Sequence, residues 1–236
     1  MQGQLDIFTP VGKNKIDVYY PENSDGGGIV FGQEYVELIQ QRYPNRIFQD
    51  CFEWCAGPGF IGFAILANDL CRHLHLMDFY QPVIDGIKHT LDANKCADKV
   101  SVYLNDDVAL LPDTKFDLIV ANPPHFPNIY KFKYKASLEN RIIDKLQVLT
   151  NDEHTCRICV DDHWQAHRNF FKNIKSHLTE DGIILLQENM AGSSVTDFKD
   201  MIDAADLMIS DCFPSPAHAD IVSSIRIYYI EIQHKK

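Results

Sequence analysis

The sequence predicts an α/β fold built on a largely parallel sheet, and three observations carry that expectation. From Arg46 onward, apolar strand-like runs alternate with helical stretches, the pattern of βαβ units. The first of these strands runs into a glycine-led turn and helix at Gly57-Pro58-Gly59-Phe60. Phe116 to Ala121 is apolar at nearly every position, as a strand buried on both faces must be.

Taken in order, Ile47 to Glu53 reads as a strand and Gly57 to Leu70 as a turn and helix. His73 to Met77 is the second strand. Pro82 to Lys95 is a helix, with Pro82 near its start where a proline is tolerated. Val100 to Leu104 and Phe116 to Ala121 are the third and fourth strands. Asp162 to Leu178 is a long amphipathic helix closed by the turn Glu180-Asp181-Gly182, and Ile183 to Gln187 is the fifth strand. A helix over Thr196 to Ala205 precedes two last strands, Leu207 to Cys212 and Ser224 to Ile232, joined through Pro214 to Ala219. Residues 46–236 thus form the main domain. Residues 1–45 hold a strand-like piece at Lys15 to Tyr20, a turn at Gly26-Gly27-Gly28 and a helix at Gln33 to Arg42. They are too short for a core of their own and read as an N-terminal extension or lid. Residues 126–160 form an insertion on the substrate side, after strand four.

Composition narrows the functional classes. The chain has 236 residues, 45% hydrophobic and 23% charged, enough to bury a real core. It shows no apolar run of membrane-spanning length and no signal-peptide pattern at its start, so a cytoplasmic location is expected. Seven cysteines, an odd number, read as reduced thiols. The formal net charge of -11 disfavours a partner gripped through a phosphate backbone.

The most informative loop is Glu53-Trp54-Cys55-Ala56-Gly57-Pro58-Gly59-Phe60-Ile61-Gly62, at a strand–helix junction where glycines let the backbone approach a ligand. Asp78 follows the second strand about 20 residues later, where a carboxylate can hold ribose hydroxyls. Asp106 and Asp107 follow the third strand, within reach of an adenine edge. Each aspartate alone would pass for a turn residue. Acidic residues after successive strand ends are harder to dismiss.

On these residues, roughly Arg46 to Gln233 resembles the class I, Rossmann-like S-adenosylmethionine methyltransferases. The resemblance implies a mostly parallel seven-stranded sheet with a reversed last strand, and helices on both faces. It implies S-adenosylmethionine as cofactor, with Glu53 near its methionine end and the loop Cys55, Ala56, Gly57, Gly59 and Phe60 packed against it. Asp78 and Phe79 would hold the ribose side, and Asp106 or Asp107 the adenine. Cys55 replaces the usual first glycine. The loop reads C-A-G-P-G-F-I-G and not G-x-G-x-x-G, which sets it apart from a dehydrogenase.

The fourth strand leads directly into Asn122-Pro123-Pro124-His125. Two prolines stiffen the backbone where the methyl group should arrive. The tetrapeptide resembles the N-P-P-[aromatic] motif of enzymes that methylate amide or amino nitrogens, among them release-factor glutamine and rRNA, tRNA and DNA base methyltransferases. By that resemblance Asn122, also a cofactor contact, and the Pro123 carbonyl each accept an N–H bond from the nitrogen. His125 stands where the motif has an aromatic residue; it would stack on the substrate, with relay of the released proton as a second role.

Three further features are weighed. Tyr130-Lys131-Phe132-Lys133-Tyr134-Lys135, if extended, separates aromatics from lysines and reads as an amphipathic flap in preference to a nucleic-acid strip. Cys156-Arg157-Ile158-Cys159, with His154 and His163 nearby, is a single C-x-x-C pair where structural zinc sites generally need four ligands, so no metal is expected. Asp161, Asp162, His163, Trp164 and His167 open the long helix and Glu34 lies near the start of another; both groups are candidates for substrate or cofactor contact. The reading that results is an N-methyltransferase acting on a protein, peptide or small molecule. A nucleic-acid base is the alternative acceptor, and a catalytically silent binding module is the third reading.

Overall fold

The computed structural model describes residues 5–22, 24, 28–132, 158–216 and 227–235. Its main sheet has seven strands: β3 (Phe48–Trp54), β4 (Cys71–Asp78), β5 (Val100–Leu104), β6 (Phe116–Ala121), β7 (Leu178–Asn189), β8 (Leu207–Pro214) and β9 (Ile227–His234). They lie in the order β5-β4-β3-β6-β7-β9-β8. β3 pairs parallel with β4 and β6, and β4 with β5, whereas β9 runs antiparallel to both neighbours. The expected mostly parallel α/β sheet with its reversed end is therefore observed. β1 (Leu5–Phe8) and β2 (Val18–Pro21) make a separate antiparallel pair. The helices are α1 (Gly28–Arg42), α2 (Phe60–Ala67), α3 (Gln81–Asn94), α4 (Gln165–Ile174) and α5 (Val195–Ala204).

The chain divides into two compact units. The first comprises residues 1–106, 110–122 and 177–183; the second comprises 107–109, 123–176 and 184–236. In the first unit, β3, β4 and β6 are buried along most of their length. All eight residues of α2 are buried, which explains its wholly apolar sequence FIGFAILA. α1 rests on α2 across Gly32, where a Cβ would come within 2.7 Å of the Phe60 carbonyl oxygen. The β1–β2 pair is tied to α3 by Tyr19 N–H donating to Thr90 Oγ1 at 2.8 Å, and by Asn94, which donates to the Asp17 carbonyl at 2.8 Å. In the second unit, α4 buries His167, Phe170, Phe171 and Ile174 on one face, and α5 opens with a capping box between Ser194 and Asp197.

Several element boundaries differ from expectation for identifiable reasons. α2 is shorter than Gly57–Leu70. Gly57 and Gly59 adopt left-handed angles before it, and Asp69 does so after it (φ 58°). α4 starts at Gln165, not Asp162, because His163 and Trp164 are left-handed, at φ 51° and 59°. It ends at Ile174, and β7 begins at Leu178, so Glu180-Asp181-Gly182 is extended strand and not a turn. There Arg46 Nη2 donates to the Asp181 carbonyl at 3.1 Å. α1 begins at Gly28, five residues before the expected helix start. β1 carried no clear sequence signal. Ser224 to Arg226, expected in the last strand, lie outside the described residues.

The α1–α2 contact yields a test. Alanine at position 32 gains about 1 kcal/mol of helix propensity, but its Cβ meets backbone that cannot swing aside. Gly32→Ala is expected to lower stability by about 1–3 kcal/mol, read as a lower denaturant midpoint at unchanged slope.

Candidate active site

The sheet register assembles the first part of the site. β3 lies between β4 and β6, with Trp54 opposite Met77 on one side and Ala121 on the other. The next residues along the three chains are Cys55, Asp78 and Asn122. They mark three adjacent strand ends, each about 5 Å from its neighbour. The Ala121 carbonyl just before Asn122 is pinned by the buried Tyr35, whose Oη donates to it at 2.7 Å.

The loop after β3 turns through left-handed angles at Cys55 (φ 55°), Gly57 (φ 50°) and Gly59 (φ 80°). Glycine takes such angles freely; a cysteine pays roughly 1–2 kcal/mol. Cys55 nevertheless adopts the angle that a glycine would supply, so replacing the first glycine leaves the turn intact. Ala56 N–H donates to the Met77 carbonyl at 2.9 Å and Gly59 N–H to the Ala56 carbonyl at 2.8 Å, closing the loop onto β4. A Cβ on Gly59 would sit 2.9 Å from Leu76 Cδ1. Phe60 opens α2 buried, with Phe8 and Tyr20 edge-on to its ring at centroid distances of 5.6 and 5.0 Å.

Two carboxylates organise this loop. Glu53 is 2% exposed, and its Oε2 accepts the Gly62 N–H at 2.7 Å. Gly62 has to lack a side chain, because a Cβ would lie 2.7 Å from that oxygen. Burial pushes the Glu53 carboxyl up to about 8; the Gly62 and Ile61 amides oppose the rise, and the charge of Asp78 adds to it. Asp78 accepts the Gly57 N–H at 2.8 Å through Oδ2 and the Tyr80 N–H at 2.9 Å through Oδ1. It thus braces the loop and the start of α3.

Phe79 is half-buried beside Tyr80, their ring centroids 6.4 Å apart. Asp106 is exposed at the tip after β5. Asp107, in the second unit, accepts the Ala109 N–H at 2.9 Å and caps a short 3-10 turn. Glu34 is buried in the second turn of α1, so it is not the first-turn residue its sequence position suggested. Asn122 Oδ1 is buried and, among the described residues, has no hydrogen-bond partner. Buried acceptors are seldom left so, and this one suits a donor from a ligand.

In the second unit the chain continues through Pro123, buried, and Pro124, half-buried, to His125. His125 Nδ1 lies 3.2 Å from Glu188 Oε2 on β7. The other oxygen of Glu188 meets His167 Nε2 at 3.0 Å, and His167 Nδ1 meets Asp161 Oδ2 at 2.6 Å. Ser193 Oγ donates to Glu188 Oε2 at 2.7 Å and lies 3.1 Å from Tyr228 Oη. Glu188 and His167 are fully buried. Burial opposes the charge on His167, but the hydrogen bonds and charges of Asp161 and Glu188 outweigh it and push its pKa up to about 9. Burial likewise works against ionised Glu188, and hydrogen bonds from His125 and His167 hold its carboxyl below the usual range.

A family model described as "Methyltransferase small domain" matches residues 35–153, just over half of the chain. The chain belongs to that family. No curated protein matches it. Solved structures share the fold of this methyltransferase at low identity. One is a ribosomal protein L11 methylase from Lactobacillus delbrueckii subsp. bulgaricus, 14% identical, covering 87% of this chain and 79% of that one with a TM-score of 0.56. Another is an S-adenosylmethionine-dependent methyltransferase from Clostridium acetobutylicum, 11% identical, covering 91% and 94% at 0.57. SMU.776, solved in complex with SAH, is 15% identical and covers 96% of this chain and 55% of that one at 0.60. The expectations of an enzyme, of methyl transfer and of S-adenosylmethionine as cofactor accord with the family and with these neighbours.

For this methyltransferase the sequence missed Tyr35, Glu188, Ser193 and Tyr228. Glu188 had a signal: it is a charged residue closing the apolar run Ile183-Ile184-Leu185-Leu186. Asp161 braces the start of α4 by accepting the Ala166 and His167 amides at 2.8 and 3.0 Å, while Asp162 and His163 are exposed. Tyr130 to Phe132 form a helical turn and not an extended strip, because Asn128 Oδ1 caps it through the Lys131 N–H at 2.8 Å. Lys133 to Lys135, His154 and Cys156 lie outside the described residues. Among the described residues no cluster could hold a metal ion, and no helix is long and apolar enough to cross a membrane.

The buried histidine gives a pH test. Its pKa rises on folding from 6.5 to about 9, so its contribution is full below pH 6.5 and is lost as pH rises through about 9. Between those values the stability of the unaltered protein should fall more steeply than that of His167→Gln, measured by denaturation at each pH. Parallel curves would contradict the assignment.

Proposed function

We propose that this methyltransferase transfers a methyl group from S-adenosylmethionine to an amide or amino nitrogen of a protein, peptide or small molecule. The observation that carries the reading is the buried, unpartnered Oδ1 of Asn122 at the strand end beside Cys55 and Asp78, leading into two prolines. Glu53, Cys55, Ala56, Gly57, Gly59, Phe60, Asp78, Phe79, Asp106, Asp107 and Asn122 hold the cofactor. When bound, it supplies an electrophilic methyl on a sulfonium. Asp78 holds the ribose hydroxyls, and Glu53 lies toward the methionine end. Residues 1–45 act as an extension over the loop, which the contacts of Phe8 and Tyr20 with Phe60 support.

An amide or aromatic amine delocalises its lone pair, so it attacks well only when held. Asn122 Oδ1 accepts one N–H and the Pro123 carbonyl the other, directing the lone pair out of the plane. Pro124 stiffens the corner, and His125 lies against the planar group. An exocyclic amine of a nucleic-acid base has the same donor geometry; the net charge of -11 weighs against that acceptor.

The test is transfer from labelled S-adenosylmethionine into lysate, scored separately in protein, RNA and small molecules. Label in protein or small molecules is expected; label confined to RNA would reverse the choice of acceptor. Asn122→Ala should abolish transfer while costing less cofactor affinity, by calorimetry, than the loss of Asp78 does. Asp78→Ala should instead weaken the cofactor by about 1–3 kcal/mol. Full turnover in Asn122→Ala would refute the nitrogen-holding role.

A further inference from the structure

His125 departs from the aromatic residue of the motif it resembles, and the structure pairs that departure with a second one. Glu188, a carboxylate with no solvent exposure, lies on β7 just beyond the apolar run Ile183 to Leu186 and reaches the imidazole. Both oxygens of Glu188 are engaged: Oε1 by His167, Oε2 by His125 and Ser193.

The proton positions follow from the acceptors. An ionised carboxylate can only accept. Both ring nitrogens of His167 face carboxylates, Asp161 and Glu188, so His167 carries two N–H bonds and a positive charge. Glu188 is then a charged acceptor for His125, whose Nδ1 bears the hydrogen. His125 Nε2 is left with its lone pair and makes no hydrogen bond among the described residues. The imidazole is 17% exposed, enough to exchange a proton with water. Asp161, His167 and Glu188 together carry one net negative charge behind the ring. Other polar groups at this corner are Ser193 and Tyr228, whose hydroxyls lie 3.1 Å apart, and Lys131, whose Nζ donates to the Gly192 carbonyl at 2.6 Å. The backbone is fixed as well, since a Cβ on Gly192 would fall 2.0 Å from the His125 carbonyl oxygen.

We propose that Glu188, braced by His167 and Asp161, is a positioning residue that holds His125 in its Nδ1–H form, so that Nε2 takes the proton released when the acceptor nitrogen is methylated. The proposal rests on the reading of Asn122–His125 as the place of methyl transfer. In that step the N–C bond forms as the S–C bond breaks and the nitrogen becomes positive. The electron pair of one N–H bond stays on nitrogen, its proton passes to Nε2, and His125 later yields it to water. Glu188 keeps its charge throughout and steadies the imidazolium.

The experiment uses the full chain labelled with 15N-histidine, with long-range proton–nitrogen spectra recorded across pH. His125→Tyr assigns the His125 signals. The expected result is an Nδ1–H, Nε2-unprotonated His125 at alkaline pH and a doubly protonated His167 at neutral pH. In Glu188→Gln, the Nδ1–H and Nε2–H tautomers of His125 should mix. Ser193→Ala, a milder change, should shift the His125 signals in case the first variant folds poorly. An Nε2–H tautomer in the unaltered protein, or an unchanged tautomer in Glu188→Gln, would overturn the positioning role. Label transfer from S-adenosylmethionine into the accepting lysate fraction should rise with pH around the measured His125 midpoint, and that limb should vanish in His125→Tyr. A limb that persists there overturns the proton-accepting role. If no fraction takes label while the spectra match, the methyl-transfer reading has failed and the proposal falls with it; if label appears but the tautomer is wrong, the proposal alone has failed.

Discussion

Strands β3, β4 and β6 are sealed on both faces, and that constraint shapes the site more than any single side chain. Inside such strands a buried polar side chain has to find its own partner, as His75 on β4 does in Asp50 on β3 at 3.0 Å, and few positions allow it. Polar chemistry is displaced to the carboxyl ends, where the register puts Cys55, Asp78 and Asn122 side by side. The same constraint explains Glu53: one residue inside the end, it is desolvated enough to hold its proton near neutrality, and it is tolerated because the Gly62 amide meets it. Asp78, two residues further out by register, remains half-buried and ties the loop to α3 through backbone amides.

The second unit solves a related problem by different means. Glu188 is satisfied by histidines from two directions in place of a backbone amide. The arrangement links the motif after β6 to residues far along the chain: Asp161 before α4, His167 within it, and Ser193 after β7. Glycine at 192 lets two backbones meet where any side chain would separate them.

Much of the first unit was legible in the sequence because it is written locally. The strand–glycine–helix junction, the acidic residues after strands and the Asn-Pro-Pro corner are contiguous patterns whose physics acts over a few residues. Boundaries were less legible where left-handed angles fell on ordinary side chains. Nothing in the types of Cys55, His163 or Trp164 announces φ values of 55°, 51° and 59°. The Glu188 network was invisible for another reason: its members are spread over more than 100 residues, and only tertiary folding brings them together. The types of Asp161 and His167 mark them as candidates in the sequence, but nothing local names their partners. The helical turn at Tyr130 to Phe132 shows the converse error, in which an alternating pattern suggested a strand and one asparagine cap decided otherwise.

The triad of Asp161, His167 and Glu188 also bears on how the second unit comes together. Its charges arrive from separate segments, and any two of the three buried without the last would leave ionised atoms lacking a partner in a dry interior. Half-assembled forms of this unit are therefore penalised relative to both the complete and the open chain. The network acts as an all-or-none latch, making the assembly of α4 and β7 more cooperative than apolar packing alone would.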